Sequence, residues 1–183
     1  MNIMMEEAQR VRFEELVQKS KVYLEFGAGG STVYASSVCD RVISVESDAE
    51  WIETVKKQCF GNVEFFHVDI GARRNYGYPE AGCSEERMRE YSRTLLKVPD
   101  IQNVDTVFID GRFRVACALQ TFLLEKQPNQ ILFDDFMNRQ HQYGETLNWF
   151  DLVDSCVTLG VLKKKDELTL DQEVLRRYEI IPQ

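Results

Sequence analysis

A chain of 183 residues with 44% hydrophobic and 28% charged residues is long enough to bury a core without disulfide or metal staples, and reads as one domain over 1–183. Ten glycines and four prolines exclude a collagen-like or long disordered tract, and a formal net charge of −8 leaves no global basic field for nucleic acid. Five scattered cysteines without a Cys-x-x-Cys pair exclude a zinc knuckle and a disulfide framework, so they read as reduced thiols.

The N-terminal stretch carries acids and lacks the basic start and apolar core of a secretory signal. Residues 4–19 are predicted as a charged helix that offers Val11, Phe13, Leu16 and Val17 to one face. No run approaches the ~20 apolar residues of a membrane helix. A soluble, cytoplasmic protein with no membrane partner is expected.

Strands are predicted at 21–26, 41–46, 63–69, 104–110 and 130–136, and helices at 31–39, 49–58, 84–97, 113–126 and 140–154. This alternation predicts an α/β fold whose first five strands pair mostly in parallel through right-handed crossovers. The tail differs: 155–165 and 173–181, separated by "DELTLDQ", are expected to form an antiparallel hairpin at the sheet edge. Residues 71–83, "GARRNYGYPEAGC", are the longest stretch without periodicity. A loop of that length in a compact domain is more often functional than idle, so it is expected beside the site. The run Lys163 to Lys165 reads as a solvated face.

In an open parallel sheet, ligands sit beyond the carboxyl ends of the strands. There "LEFGAGGST" brings bare backbone and a helix N-terminus to the rim. Glu46 follows Gly27 by 19 positions at the end of the next strand, where a carboxylate commonly accepts from ribose hydroxyls. The pair alone would suit a nicotinamide dinucleotide enzyme. However, Thr32 stands where that fingerprint needs its third glycine, and Glu25 precedes the loop where a diphosphate would be repelled. Asp69 adds an acid suited to an adenine amino group.

Together "LEFGAGGST", "VISVESD", "FFHVDI" and "VFIDG" resemble the successive strand-end motifs of the class I S-adenosylmethionine-dependent methyltransferases, over roughly residues 20–183. That resemblance implies a three-layer α/β/α Rossmann-like fold, with a seven-stranded sheet in the order 3-2-1-4-5-7-6 and strand 7 antiparallel. It implies S-adenosylmethionine as cofactor, with Glu25 near its amino acid moiety, Gly27 to Gly29 beneath it, Glu46 on the ribose and Asp69 facing the adenine. Phe26, Ala28, Ser31, Thr32, Ser47, Ile70 and Asp110 complete the implied cofactor set.

A hydroxyl acceptor needs a base, and the acids on the reacting side are Asp110, Asp134 and Asp135. Here "IDG" and "DD" resemble the metal-dependent small-molecule O-methyltransferases, notably the macrocin-type enzymes acting on sugar hydroxyls. By that resemblance Asp110, Asp134 and Asp135 would bind Mg²⁺. Those enzymes usually carry a second acid where this sequence has Arg112. A metal-free arrangement therefore stands beside the first, with Arg112 and Arg114 on an acidic or phosphorylated acceptor and Asp110, Asp135 or His141 as base. His67 reads as structural.

The stretches "NYGYPE", "REYSR" and "DGRFRVACAL" resemble a group of poorly characterised bacterial and viral methyltransferase-like proteins. Tyr76, Tyr78 and Tyr91 are candidates for an aromatic lid or sugar platform, and 71–101 for an acceptor-site cover. The resulting expectation is methyl transfer to a small-molecule hydroxyl, a sugar or glycan being one candidate, with a homodimer or a partner subunit completing the acceptor pocket. A non-catalytic cofactor-binding module and a nicotinamide-dependent dehydrogenase are the alternatives.

Overall fold

A computed structural model of the chain describes residues 1–74 and 77–183; Tyr76 lies outside them. Strand β1 (Val22–Phe26) alternates its side chains between two layers: Leu24 and Phe26 join one buried cluster and Tyr23 the other. It is followed by helix α2 (Gly30–Val38), β2 (Arg41–Glu46), α3 (Ala49–Lys56) and β3 (Val63–His67). The chain then crosses through α4 (Glu85–Arg93) to β4 (Thr106–Ile109), α5 (Arg114–Phe122) and β5 (Gln130–Phe133).

The five strands pair in parallel, with Glu25 opposite Ser44 on β2 and opposite Phe108 on β4. The whole sheet runs β3-β2-β1-β4-β5-β7-β6, with β7 (Leu159–Lys164) antiparallel to both β5 and β6 (Phe150–Cys156). This is the order that the resemblance implied. Because strand order reverses between β1 and β4, right-handed crossovers send α2 and α3 to one face and α4 and α5 to the other. Helix α1 (Glu7–Val17) lies with α2, burying Phe13, Leu16 and Val17. Val11 stays exposed, and Gln9 is buried in its stead.

Two expectations fail at the C-terminal end. The helix expected at 140–154 stops after α6 (Gln140–Tyr143) and a 3-10 turn at Gly144–Asn148, because 150–156 alternates at period two along β6. The hairpin therefore runs through 150–164, with Val157 and Thr158 at its turn. Residues 173–181 are no strand: Asp171 caps α7 (Gln172–Tyr178) by accepting from the Glu173 amide at 2.8 Å, and Leu175 and Tyr178, three apart, are buried. Glu179, wholly buried just beyond, accepts from Arg93 at 2.7 Å, Gln120 at 2.9 Å and Arg89 at 3.2 Å, tying α7 to α4 and α5. No helix among the described residues is long and apolar enough to cross a membrane.

Candidate functional site

A cavity of about 740 Å³ opens at the carboxyl ends of β1, β2, β4 and β5. Its volume lies in the range of small-molecule sites. The glycine turn after β1 contributes Gly27 and Ala28 to the wall, and the glycines there have separate causes. Gly27 holds φ +96°, and a Cβ on it would lie 2.8 Å from the Gly111 amide nitrogen, so the turns after β1 and β4 are packed backbone to backbone. A Cβ on Gly30 would meet the Asn2 carbonyl at 2.3 Å, so that glycine admits the N-terminal segment. Only at Gly29 is the space open.

Strand alternation explains where Glu25 goes. It shares the side of Tyr23, facing the first turn of α2 rather than the cavity, and is wholly buried. Four hydroxyls donate to it: Tyr23 at 3.0 Å, Ser31 at 2.8 Å, Ser44 at 2.9 Å, and Thr32. Burial pushes the carboxyl up to about 7 and the hydroxyls hold it back from rising further. Thr32 also accepts from the Gly29 amide at 2.8 Å, so the buried acid anchors the turn from beneath. Phe26 and Ile70 are core residues, and Asp69 lies off the cavity wall, accepting from the Gly71 amide at 2.9 Å and pairing with Arg87 at 3.1 Å.

Glu46 and Ser47 do line the cavity. Glu46 Oε1 accepts from the Ser47 amide at 2.5 Å and the Asp48 amide at 3.0 Å, while among the described residues Oε2 accepts only from the Ala28 amide, also at 3.0 Å. One carboxylate thereby fastens the β1 turn to the β2 turn and keeps acceptor capacity on Oε2. Its position and spare lone pair fit a vicinal diol, and the bare main chain of Gly27 and Ala28 beside it fits a nucleoside cofactor.

At the far end stand Asp110, Asp134 and Asp135. Arg114 is buried between them, donating to Asp110 Oδ1 at 2.9 Å, Asp135 Oδ2 at 3.4 Å and the carbonyls of Gly111, Asp134 and Asp110. It is spent within the protein, so the expectation that Arg112 and Arg114 together hold an acceptor fails at Arg114. Burial, then the charge of Asp110, pushes the Asp134 carboxyl up to about 8. Enclosure raises Asp110 as well, against Arg114. Because 41% of its side chain is exposed, water weakens both effects. The two acids act as a coupled pair that retains a proton into the neutral range.

Among the described residues no three His, Cys, Asp or Glu side chains group as a metal site. With a guanidinium between Asp110 and Asp135, this donor set does not fit Mg²⁺. Phe113 (φ 54°) and Asp135 (φ 58°) hold left-handed backbone in the turns after β4 and β5, a strain of about 1–3 kcal/mol each that concentrates at this rim.

His141 is exposed on α6, its Nε2 3.2 Å from the side-chain Nε2 of Gln142, and does not reach the cavity. His67 contacts the Ser47 carbonyl at 3.2 Å. Tyr91 and Tyr78 both line the cavity: Tyr91 is almost wholly buried, its hydroxyl reaching the Val45 carbonyl at 3.4 Å, and Tyr78 stacks on Arg112. Sequence reasoning missed Gln9. Its Oε1 accepts from the Thr158 amide at 3.3 Å and hydroxyl at 2.7 Å, which turns its Nε2 onto Asp134 Oδ1 at 2.5 Å. Partners 125 and 149 positions away leave no local signal.

No protein-family model and no curated protein matches the chain. Among solved structures, a methyltransferase-like protein from Silicibacter pomeroyi DSS-3 superposes with a TM-score of 0.86 at 26% identity, covering 99% of this chain and 98% of that one. The tRNA (m1A58) methyltransferase TrmI from Aquifex aeolicus matches with a TM-score of 0.52 at 16% identity, over 85% of this chain and 68% of its own. A precorrin 8w decarboxylase from Methanobacterium thermoautotrophicum scores 0.52 at 14% identity, over 87% and 91%. The last two likenesses concern the fold alone, and a shared fold does not name a reaction. Strand order, the antiparallel β7 and the flanking helix layers give this chain the three-layer α/β/α Rossmann-like fold on which methyltransferases are built.

Proposed function

We propose that the chain is an S-adenosylmethionine-dependent methyltransferase acting on a hydroxyl of a small molecule, a sugar being one candidate. The observation that carries this reading is Glu46, which fastens the glycine turn to the β2 turn and keeps lone-pair capacity at the cavity wall. A near full-length likeness to a methyltransferase-like protein supports it.

When bound, the cofactor supplies a methyl carbon activated by positive sulfur. The protein's own residues bind, orient and handle the proton. Glu46 accepts from the ribose hydroxyls, and the main chain of Gly27 and Ala28 lets the nucleoside approach. At the other end Asp110, open to the cavity, takes the acceptor's hydroxyl proton. Arg114 fixes its carboxylate and Gln9 fixes that of Asp134. No step uses a metal.

Incubation with methyl-labelled S-adenosylmethionine and a panel of hydroxyl compounds, sugars included, tests the reading. Label is expected in an ether product, at the same rate in EDTA, and at a rate lowered about 10²–10⁴-fold in Asp110→Asn. Transfer restored only by added Mg²⁺ would contradict the metal-free account.

A further inference from the structure

Arg112 is 8% exposed in the turn after β4 and forms part of the cavity wall. Its side chain makes no hydrogen bond or ion pair with any described residue, and Nη1 is fully enclosed without a partner. Arg114, two positions on and also buried, donates five hydrogen bonds. The contrast is chemical: a guanidinium cannot shed its charge, and burying one without a counter-charge is costly. The Tyr78 ring, 4.3 Å from Arg112 Cζ, offsets only part of that cost. Stacking also covers the face of the guanidinium, not its nitrogen edge.

We infer that Arg112 is the seat for an oxyanion, a carboxylate or phosphate, carried by the acceptor. The word acceptor rests on the methyltransferase reading above. A Cβ built on Gly77 would lie 3.7 Å from Ser47 Oγ and 3.8 Å from Arg112 Cγ, which sets Arg112 beside the residue that follows Glu46. Arg112 thus stands between Ser47, next to the Glu46 that would hold a ribose, and Asp110, where the acceptor hydroxyl would sit. Asp110 feels the charge of Arg112, so an acceptor whose hydroxyl meets Asp110 has its anion within the same turn. Arg139, a half-buried cation of this wall, is held by Asp135 at 3.1 Å. Arg112 is thus the unpaired cation of the cavity wall among the described residues, and it selects anionic acceptors over neutral ones.

Calorimetric titration of inorganic phosphate and of acetate into the ligand-free protein and into protein loaded with S-adenosylhomocysteine tests this. Wild type is expected to bind at least one anion saturably. Arg112→Gln and the more shape-conserving Arg112→Met should weaken that binding about tenfold or more, while Arg112→Lys keeps part of it. Affinities for S-adenosylhomocysteine and 5′-methylthioadenosine should stay within about threefold, and both charge-free variants should melt no earlier than wild type. Absence of saturable anion binding by wild type, unchanged anion binding in Arg112→Met, or a loss falling on the two nucleosides would each overturn the assignment. Failure of wild type to bind S-adenosylhomocysteine would sink the methyltransferase reading instead, and the ligand-free anion titration would still decide the seat.

Discussion

The Thr32 hydroxyl stands between the Gly29 amide and the Glu25 carboxyl group, accepting from the first and donating to the second, so the glycine turn is pinned to an acid buried beneath it. Because Glu25 is raised from 4.5 to about 7, the folded state holds its proton more tightly than the unfolded chain does. Its stabilising contribution is fully present below about pH 4.5 and is lost as pH rises through about 7. The loss amounts to about 3 kcal/mol. Asp134 is raised in the same sense and adds to the slope. Glu25→Gln should therefore reduce the fall in Tm between pH 5 and 8 by about 5–10 °C, measured by thermal denaturation. Parallel curves for the two proteins would contradict the assignment.

At Gly27 the demand is steric. Gly27→Ala places a Cβ against the Gly111 backbone at a φ that L-residues avoid, and neither turn can yield without dragging the other. The variant should lose about 2–4 kcal/mol in urea denaturation. A cost below about 0.5 kcal/mol would show that the two turns are not tightly packed.

Strands β1 to β5 were legible because each is a short apolar run closed by an acid or a glycine, and their order followed from one resemblance. The terminal hairpin was not. Its turn holds Val157, a β-branched residue at φ 55°, and Thr158, where sequence reasoning looks for Asn-Gly or Asp-Gly. With that signal missing, the sequence reads 150–154 as helix and moves the hairpin toward 173–181. At the site, rim residues such as Glu46, Asp110 and Asp134 could be named from strand ends. What each of them touches could not, since Gln9 and Arg114 act through partners brought in by the fold.

The same turn offers a stabilising substitution. Val157→Asn keeps the left-handed backbone and removes the clash of a β-branched side chain, so it should raise stability by about 1 kcal/mol, or about 2–4 °C in Tm. A fall in Tm would mean that the half-exposed Val157 side chain contributes packing that outweighs its strain.

Calorimetric titration with S-adenosylhomocysteine and with NAD⁺ reaches the central claim most directly, that a diol-bearing nucleoside without a diphosphate lies across Gly27, Ala28 and Glu46. Saturable heat with the first and none with the second is predicted, together with a loss of about 10–100-fold in Glu46→Ala. Saturation by NAD⁺ while S-adenosylhomocysteine stays silent would contradict it.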